Sequence, residues 1–239
     1  MPAVKAGRCF VLTVGVLVLF TLARSYGLLS SPIPGLSVGL LVAALALIAW
    51  SCGATPADLG LRPRDMPAGL AYGAGACAVV LLVLVVAALI PAANGFLHDS
   101  RAQISGGRLL YELGVSIVLF TAIPEEFAFR GVLLGAALRM WGPWRASLVT
   151  SALFGLWHIA PTLHTMGDNH EFKSAAASIA GQVLLVLGSI AVTAVAGLVF
   201  CWLRLRSKSL IAPIMAHAAT DGLALTVAWF VVHHCRAAC

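Results

Sequence analysis

Long apolar runs decide what this chain can become. Seven stretches, near residues 9–29, 34–52, 68–91, 109–140, 144–161, 175–203 and 209–234, are predicted to cross a bilayer. A hydrocarbon core takes about 20 helical residues to span. The polar break TPADLGLRPRDMP, residues 55–67, is the longest connection between the early spans. Composition agrees with this reading: 61% of residues are hydrophobic and 10% charged, with a mean hydropathy of +0.99. A soluble domain carries about a quarter charged residues. The expected fold class is therefore all-α, a polytopic integral membrane helical bundle of about seven, six to eight, transmembrane helices. No internal repeat or linker is visible. Residues 1–104 are expected to form N-terminal transmembrane helices and 105–234 a helical core.

The net charge of +6 is spread over short loops. It bears on topology and gives no nucleic-acid patch. With the N-terminus inside, the inner segments hold Lys5, Arg8, Arg62, Arg64, Arg139, Arg145, Arg204, Arg206 and Lys208. The outer segments hold Arg101, Arg108, Lys173 and Arg236. Nine basic residues against four set a cytoplasmic N-terminus and an outside C-terminus. Residues 1–23 carry Lys5 and Arg8 ahead of an apolar stretch, as a signal peptide would, but no small-x-small cleavage site follows. They are expected to remain as the first span. The six cysteines form no C-x-x-C pair and no disulfide framework. The terminal CRAAC has Arg236 where a prenylation box needs its cysteine.

Against this background the stretch IPEEFAFRGVLLG, residues 123–135, places Glu125, Glu126 and Arg130 inside a span. An ionised group at the bilayer centre costs about 3 to over 10 kcal/mol, so such groups face the protein interior and commonly work there. Glu126 and Arg130 are four apart, share a helix face and can pair. Glu125 points about 100° away from Glu126. This separates a neutralised structural pair, Glu126 and Arg130, from a Glu125 left free for chemistry. Pro124 removes a backbone hydrogen bond just before the pair and is expected to bend the helix and free a carbonyl.

Two further polar intrusions follow. FGLWHIAP, residues 154–161, places His158 in an apolar span. MAHAATDGLAL, residues 215–225, places His217 and Asp221 four apart on one face, the spacing that brings two helical metal ligands together. At 1.5 Å per residue from the inner span ends, Glu125 lies roughly 22 Å deep and His158 roughly 21 Å. His217 and Asp221 lie roughly 12 and 18 Å deep. All four can meet at one level within the bilayer.

In this order, EEFAFRG, Phe154 to His158 and His217 to Asp221 resemble the EExxxR, FxxxH and HxxxN motifs of the CAAX prenyl protease and bacteriocin-processing family (CPBP, or Abi) of intramembrane proteases. The likeness covers roughly residues 105–230. It implies an integral membrane endopeptidase acting on a membrane-associated protein or peptide, with Glu125 as general base for water and His158 sharing that water. Glu126 and Arg130 would form the structural pair, and His217 with Asp221 would stabilise the oxyanion or hold a metal. Asp221 stands where the family commonly has Asn. An ionised Asp cannot donate to an oxyanion, whereas Asn can. Asp221 could instead ligate a metal, orient His217 or work protonated.

His158, His217 and Asp221, with Glu125, are suitable donors for Zn²⁺, and the same four suffice for metal-free glutamate catalysis. A rival metal site could form from His164, Asp168 and His170 with His233 and His234 at the outer end. Two non-proteolytic classes also fit intramembrane Glu, His and Asp: a proton-coupled transporter and a non-catalytic immunity or scaffold protein. Expected partners are the lipid bilayer and a membrane-associated protein or peptide. The Ala-rich, Arg-over-Lys composition suggests a bacterial plasma membrane, where the family is linked to bacteriocin processing or self-immunity.

Overall fold

Apolar faces on helices in lipid need no shielding from water, so only the stripes that meet another helix are buried. A computed structural model of the chain describes residues 3–29, 35–90 and 99–234, with the side chains of His170, Glu171 and His234 excepted. In α1 (Ala3–Ser25) the buried stripe is Ala6, Cys9, Thr13 and Leu17. In α2 (Leu36–Ser51) it is Val38, Leu41, Leu45 and Ala49. Both follow the three- and four-residue spacing of a single helix face. Val11, Leu19, Leu40 and Leu47 on the opposite faces are exposed.

The connecting segment 55–65 holds the short α3 (Pro56–Leu59) and a 3₁₀ turn, Pro63–Asp65. Thr55 and Asp58 cap α3 reciprocally. Then α4 (Met66–Ala88) runs back across the bundle. Its buried residues, Gly69 and Gly73, are four apart. Side chains there would strike Ser209 and Met215, so the two glycines let α4 lie close against the last helix.

The helix that carries the glutamates, α5, covers residues 106–140 and changes its winding along its length. Glu112–Ala122 and Phe127–Leu133 are π-helical, and Ile123–Glu126 between them is α-helical. Pro124 has no N–H to give, and the preceding ladder widens to i→i−5 bonds, with Ile123 N–H donating to Val118 O. The remaining helices are α6 (Pro143–Trp157), α7 (Ile159–Thr165), α8 (His170–Ala176), α9 (Ile179–Ser207) and α10 (Ile211–His234). The span expected at 144–161 is interrupted at His158, between α6 and α7.

The all-α expectation holds. No strand occurs among the described residues beyond one isolated bridge, Asp99 to Asn169. Five helical stretches are long and apolar enough to cross a membrane, and Leu36–Ser51 is a shorter apolar helix. The chain is an integral membrane protein. Helix alternation brings the start of α1, the 55–65 segment, the end of α5 and the α9–α10 turn to one end of the bundle.

That end is stapled by side chains. Arg139 donates to Asp58 Oδ1 from Nε at 2.8 Å and from Nη2 at 2.6 Å. Arg204, itself buried, donates to the carbonyls of Ala57 and Asp58 at 3.3 and 3.1 Å. Gly60 makes the fit possible: its φ is +74°, and a Cβ there would overlap the Arg204 guanidinium. Gly60→Ala is expected to cost roughly 1–3 kcal/mol through left-handed strain and displacement of Arg204, read as a lowered melting temperature of the purified protein in detergent.

Candidate active site

The charged residues of α5 meet α10 at the centre of the bundle. Glu126 and Arg130 are both fully buried, and Arg130 Nη1 donates to Glu126 Oε1 at 2.8 Å. His217 Nδ1 lies 2.9 Å from the same oxygen. Opposite a carboxylate already paired with a guanidinium, that nitrogen carries the proton and donates. One carboxylate oxygen thus ties two helices together.

Aromatic rings complete the enclosure. The Arg130 guanidinium lies 4.0 Å from the Phe154 ring centroid, 5.0 Å from that of Phe200 and 5.8 Å from that of Phe129. Cation–π attraction supports a charge that has left water. Gly197 of α9 leaves the necessary space, since a Cβ there would lie 3.1 Å from Arg130 Nη2. His217 stacks on Phe200 at 5.4 Å. The ring is therefore fixed both by its hydrogen bond and by its face.

Glu125 lies on the other side of His217. Its Oε2 is 4.0 Å from His217 Nε2, and its Oε1 accepts from Trp157 Nε1 at 3.1 Å. Oε2 is buried with no hydrogen-bond partner among the described residues. Asp221 Oδ2 approaches the same His217 Nε2 at 3.5 Å, and its side chain is 40% exposed. Nε2 therefore faces two carboxylates, one enclosed and one open.

His158 sits at the α6–α7 break. Its Nδ1 is 2.8 Å from Phe154 O. A carbonyl only accepts, so Nδ1 holds the proton and Nε2 of the neutral ring presents a lone pair. His158 and His217 both pack edge-on against Phe154, with centroid separations of 4.6 and 6.0 Å. No hydrogen bond or ion pair joins His158 to Glu125 among the described residues.

The residues fit a metal poorly as they stand. Among the described residues no three His, Cys, Asp or Glu side chains are grouped to hold a metal ion. His217 Nδ1 is engaged by Glu126, and no hydrogen bond or ion pair joins His158 to a carboxylate among the described residues. Near the end of α10, His233 Nδ1 lies 2.9 Å from Trp229 O. The side chains of His170 and His234 lie outside the described residues.

The structure thus brings together Glu125, Glu126, Arg130, His217 and Asp221, and places His158 beside them on Phe154. Sequence reasoning missed Trp157, which donates to Glu125, although it directly precedes His158. It also missed the cage around Arg130. Phe154 was visible there as the first letter of FxxxH, whereas Phe200, in the apolar α9, carried no signal.

Residues 108–223 match the model of the family described as "Type II CAAX prenyl endopeptidase Rce1-like". The matched segment runs from the start of α5 to just past Asp221, so it contains the whole constellation. Through that segment the chain is similar to the Rce1-like type II CAAX prenyl endopeptidase family, and the resemblance read from the three motifs is borne out. No curated protein and no solved structure matches the chain. The family supports intramembrane endopeptidase activity, and a membrane-embedded protease implies a membrane-associated protein substrate.

Arg130→Ala would leave Glu126 buried opposite an aromatic cage with no guanidinium. Removing one partner of a buried pair costs about 3–5 kcal/mol. A correspondingly large drop in detergent melting temperature is expected, with Arg130→Lys intermediate because an ammonium lacks the planar face that stacks on Phe154.

Proposed function

We propose that this protein is a glutamate-dependent intramembrane endopeptidase that hydrolyses a peptide bond near the end of a membrane-associated protein, with CAAX-type processing as the nearest pattern. The single observation that carries the reading is the Glu125 carboxylate. Oε2 is buried, without a hydrogen-bond partner among the described residues, and lies 4.0 Å from an imidazole nitrogen whose ring is fixed. A general base needs such an oxygen within hydrogen-bond reach of its water.

In this reading Glu125 Oε2 takes a proton from water as the oxygen adds to the scissile carbonyl carbon. The carbonyl oxygen becomes an oxyanion, and the proton held by Glu125 passes to the departing amine nitrogen as the C–N bond breaks. The products are a carboxylate and an amine, with one water consumed. His217 carries the oxyanion role: Glu126 holds its Nδ1–H, so Nε2 is aimed at the reacting centre, and a protonated Nε2 can donate to the developing charge. Asp221, 3.5 Å from Nε2, supports the charged ring where an Asn would not. His158 accepts from the water through its free Nε2. Glu126 and Arg130 hold the frame.

The orientation proposed is N-terminus inside, with the Arg-rich end formed by Arg62, Arg64, Arg139, Arg145, Arg204 and Arg206 facing the cytoplasm. Among the described residues no three of these donors are grouped to hold Zn²⁺, so no step is routed through it.

The test is purified protein in proteoliposomes with lipidated and unlipidated peptides. Glu125→Gln is expected to lower kcat by at least about 10²-fold while the melting temperature stays with the wild type. A scaffold protein would keep its phenotype in this variant, and cleavage that survives the substitution would end the reading. Chelator is expected to leave cleavage unchanged. Activity lost to chelator and restored by Zn²⁺ would replace the metal-free mechanism with a metal-dependent one.

A further inference from the structure

Trp157 does two things at once. Its indole N–H reaches Glu125 Oε1 at 3.1 Å. Its ring is held by two others, stacked on Phe20 of α1 at 6.1 Å and 10° and set edge-on to Phe129 of α5 at 5.8 Å and 69°. The Phe20 ring in turn has the Arg24 guanidinium 5.9 Å from its centroid. The same indole lines an apolar cavity of about 210 Å³ between α1, α5 and α6, with Leu17, Leu133 and Leu153. The indole therefore forms a wall between an apolar space and the half-buried Glu125 carboxylate.

A carboxylate on a two-methylene stem turns freely unless something fixes it. Oε2 has no hydrogen-bond partner among the described residues, so His217 at 4.0 Å does not fix it. The only hydrogen bond to this carboxylate among the described residues comes from Trp157. Phe20 lies outside the segment that matches the family, which begins at residue 108.

We propose that Trp157 is the positioning residue for Glu125, and that Phe20 of the N-terminal helix holds Trp157 in place. This rests on the reading of Glu125 as the general base. The indole engages Oε1, which leaves Oε2 as the unengaged oxygen that takes the proton from water. The α1 helix, although outside the family segment, is then part of the catalytic unit through its ring.

The decisive variant replaces one atom group. Trp157→3-benzothienylalanine keeps the shape and stacking of the indole and removes its N–H. A hydrogen bond to a charged group is worth enough that kcat should fall about 10- to 100-fold, with KM within about 2-fold because no substrate contact is removed. Trp157→Phe should lower kcat by at least as much. Phe20→Leu should lower it roughly 3- to 10-fold, the size of one aromatic pair. A purely structural role would lower the melting temperature and leave kcat per folded molecule intact.

A second readout does not depend on cleavage. The indole ¹H–¹⁵N signal of Trp157, one of six in the chain, should move when Glu125 becomes Gln. Wild-type protein that cleaves no peptide would overturn the general-base reading itself. A cleaving protein whose benzothienylalanine variant keeps wild-type kcat, or whose Trp157 signal ignores Glu125→Gln, would overturn the positioning role alone.

Discussion

Everything in the centre of this bundle depends on one carboxylate oxygen. Glu126 Oε1 receives Arg130 Nη1 and His217 Nδ1 at 2.8 and 2.9 Å, with both partners buried. A buried ion pair offsets its desolvation only when its geometry is good and its remaining groups are accommodated. Here the accommodation is aromatic. Phe154, Phe200 and Phe129 surround the guanidinium, and Phe200 also carries the imidazole. The pair fixes α5 against α10, and the cage brings in α6 and α9.

The second consequence is a division between adjacent residues. Glu126 points into the pair, and Glu125 points past His217 towards Trp157 and Asp221. Separation by one residue on a helix is enough to send two identical side chains to different environments. The π-wound stretches on either side of Ile123–Glu126 set this short α segment between two more widely wound parts of the helix. Such π insertions are frequent at functional sites. The break after Trp157 has a related effect, since it ends α6 where the indole and imidazole are presented.

How the first helices relate to the site could not be read from motifs. The matched family segment starts at residue 108, and the division at 104–105 rested on motif content. Yet Phe20 stacks on Trp157, and α3 is tied to α5 and α9 through Asp58, Arg139 and Arg204. Neither tie leaves a mark in the sequence, because both depend on which faces of distant helices meet.

The sequence by itself determined the membrane-crossing α-helical architecture and the pairing of Glu126 with Arg130, and it set Glu125, His158, His217 and Asp221 at depths where they could meet. These follow from helix length, rise and four-residue spacing, which are local properties. Tertiary structure decided the rest. It gave Glu126 a second partner in His217, placed His158 against Phe154 with no bond to Glu125, and supplied Glu125 with the Trp157 hydrogen bond. It also enclosed Arg130 in three phenylalanines drawn from three helices. Those contacts join residues up to 91 positions apart, and no local rule of winding or spacing says which side chains of separate helices will face each other.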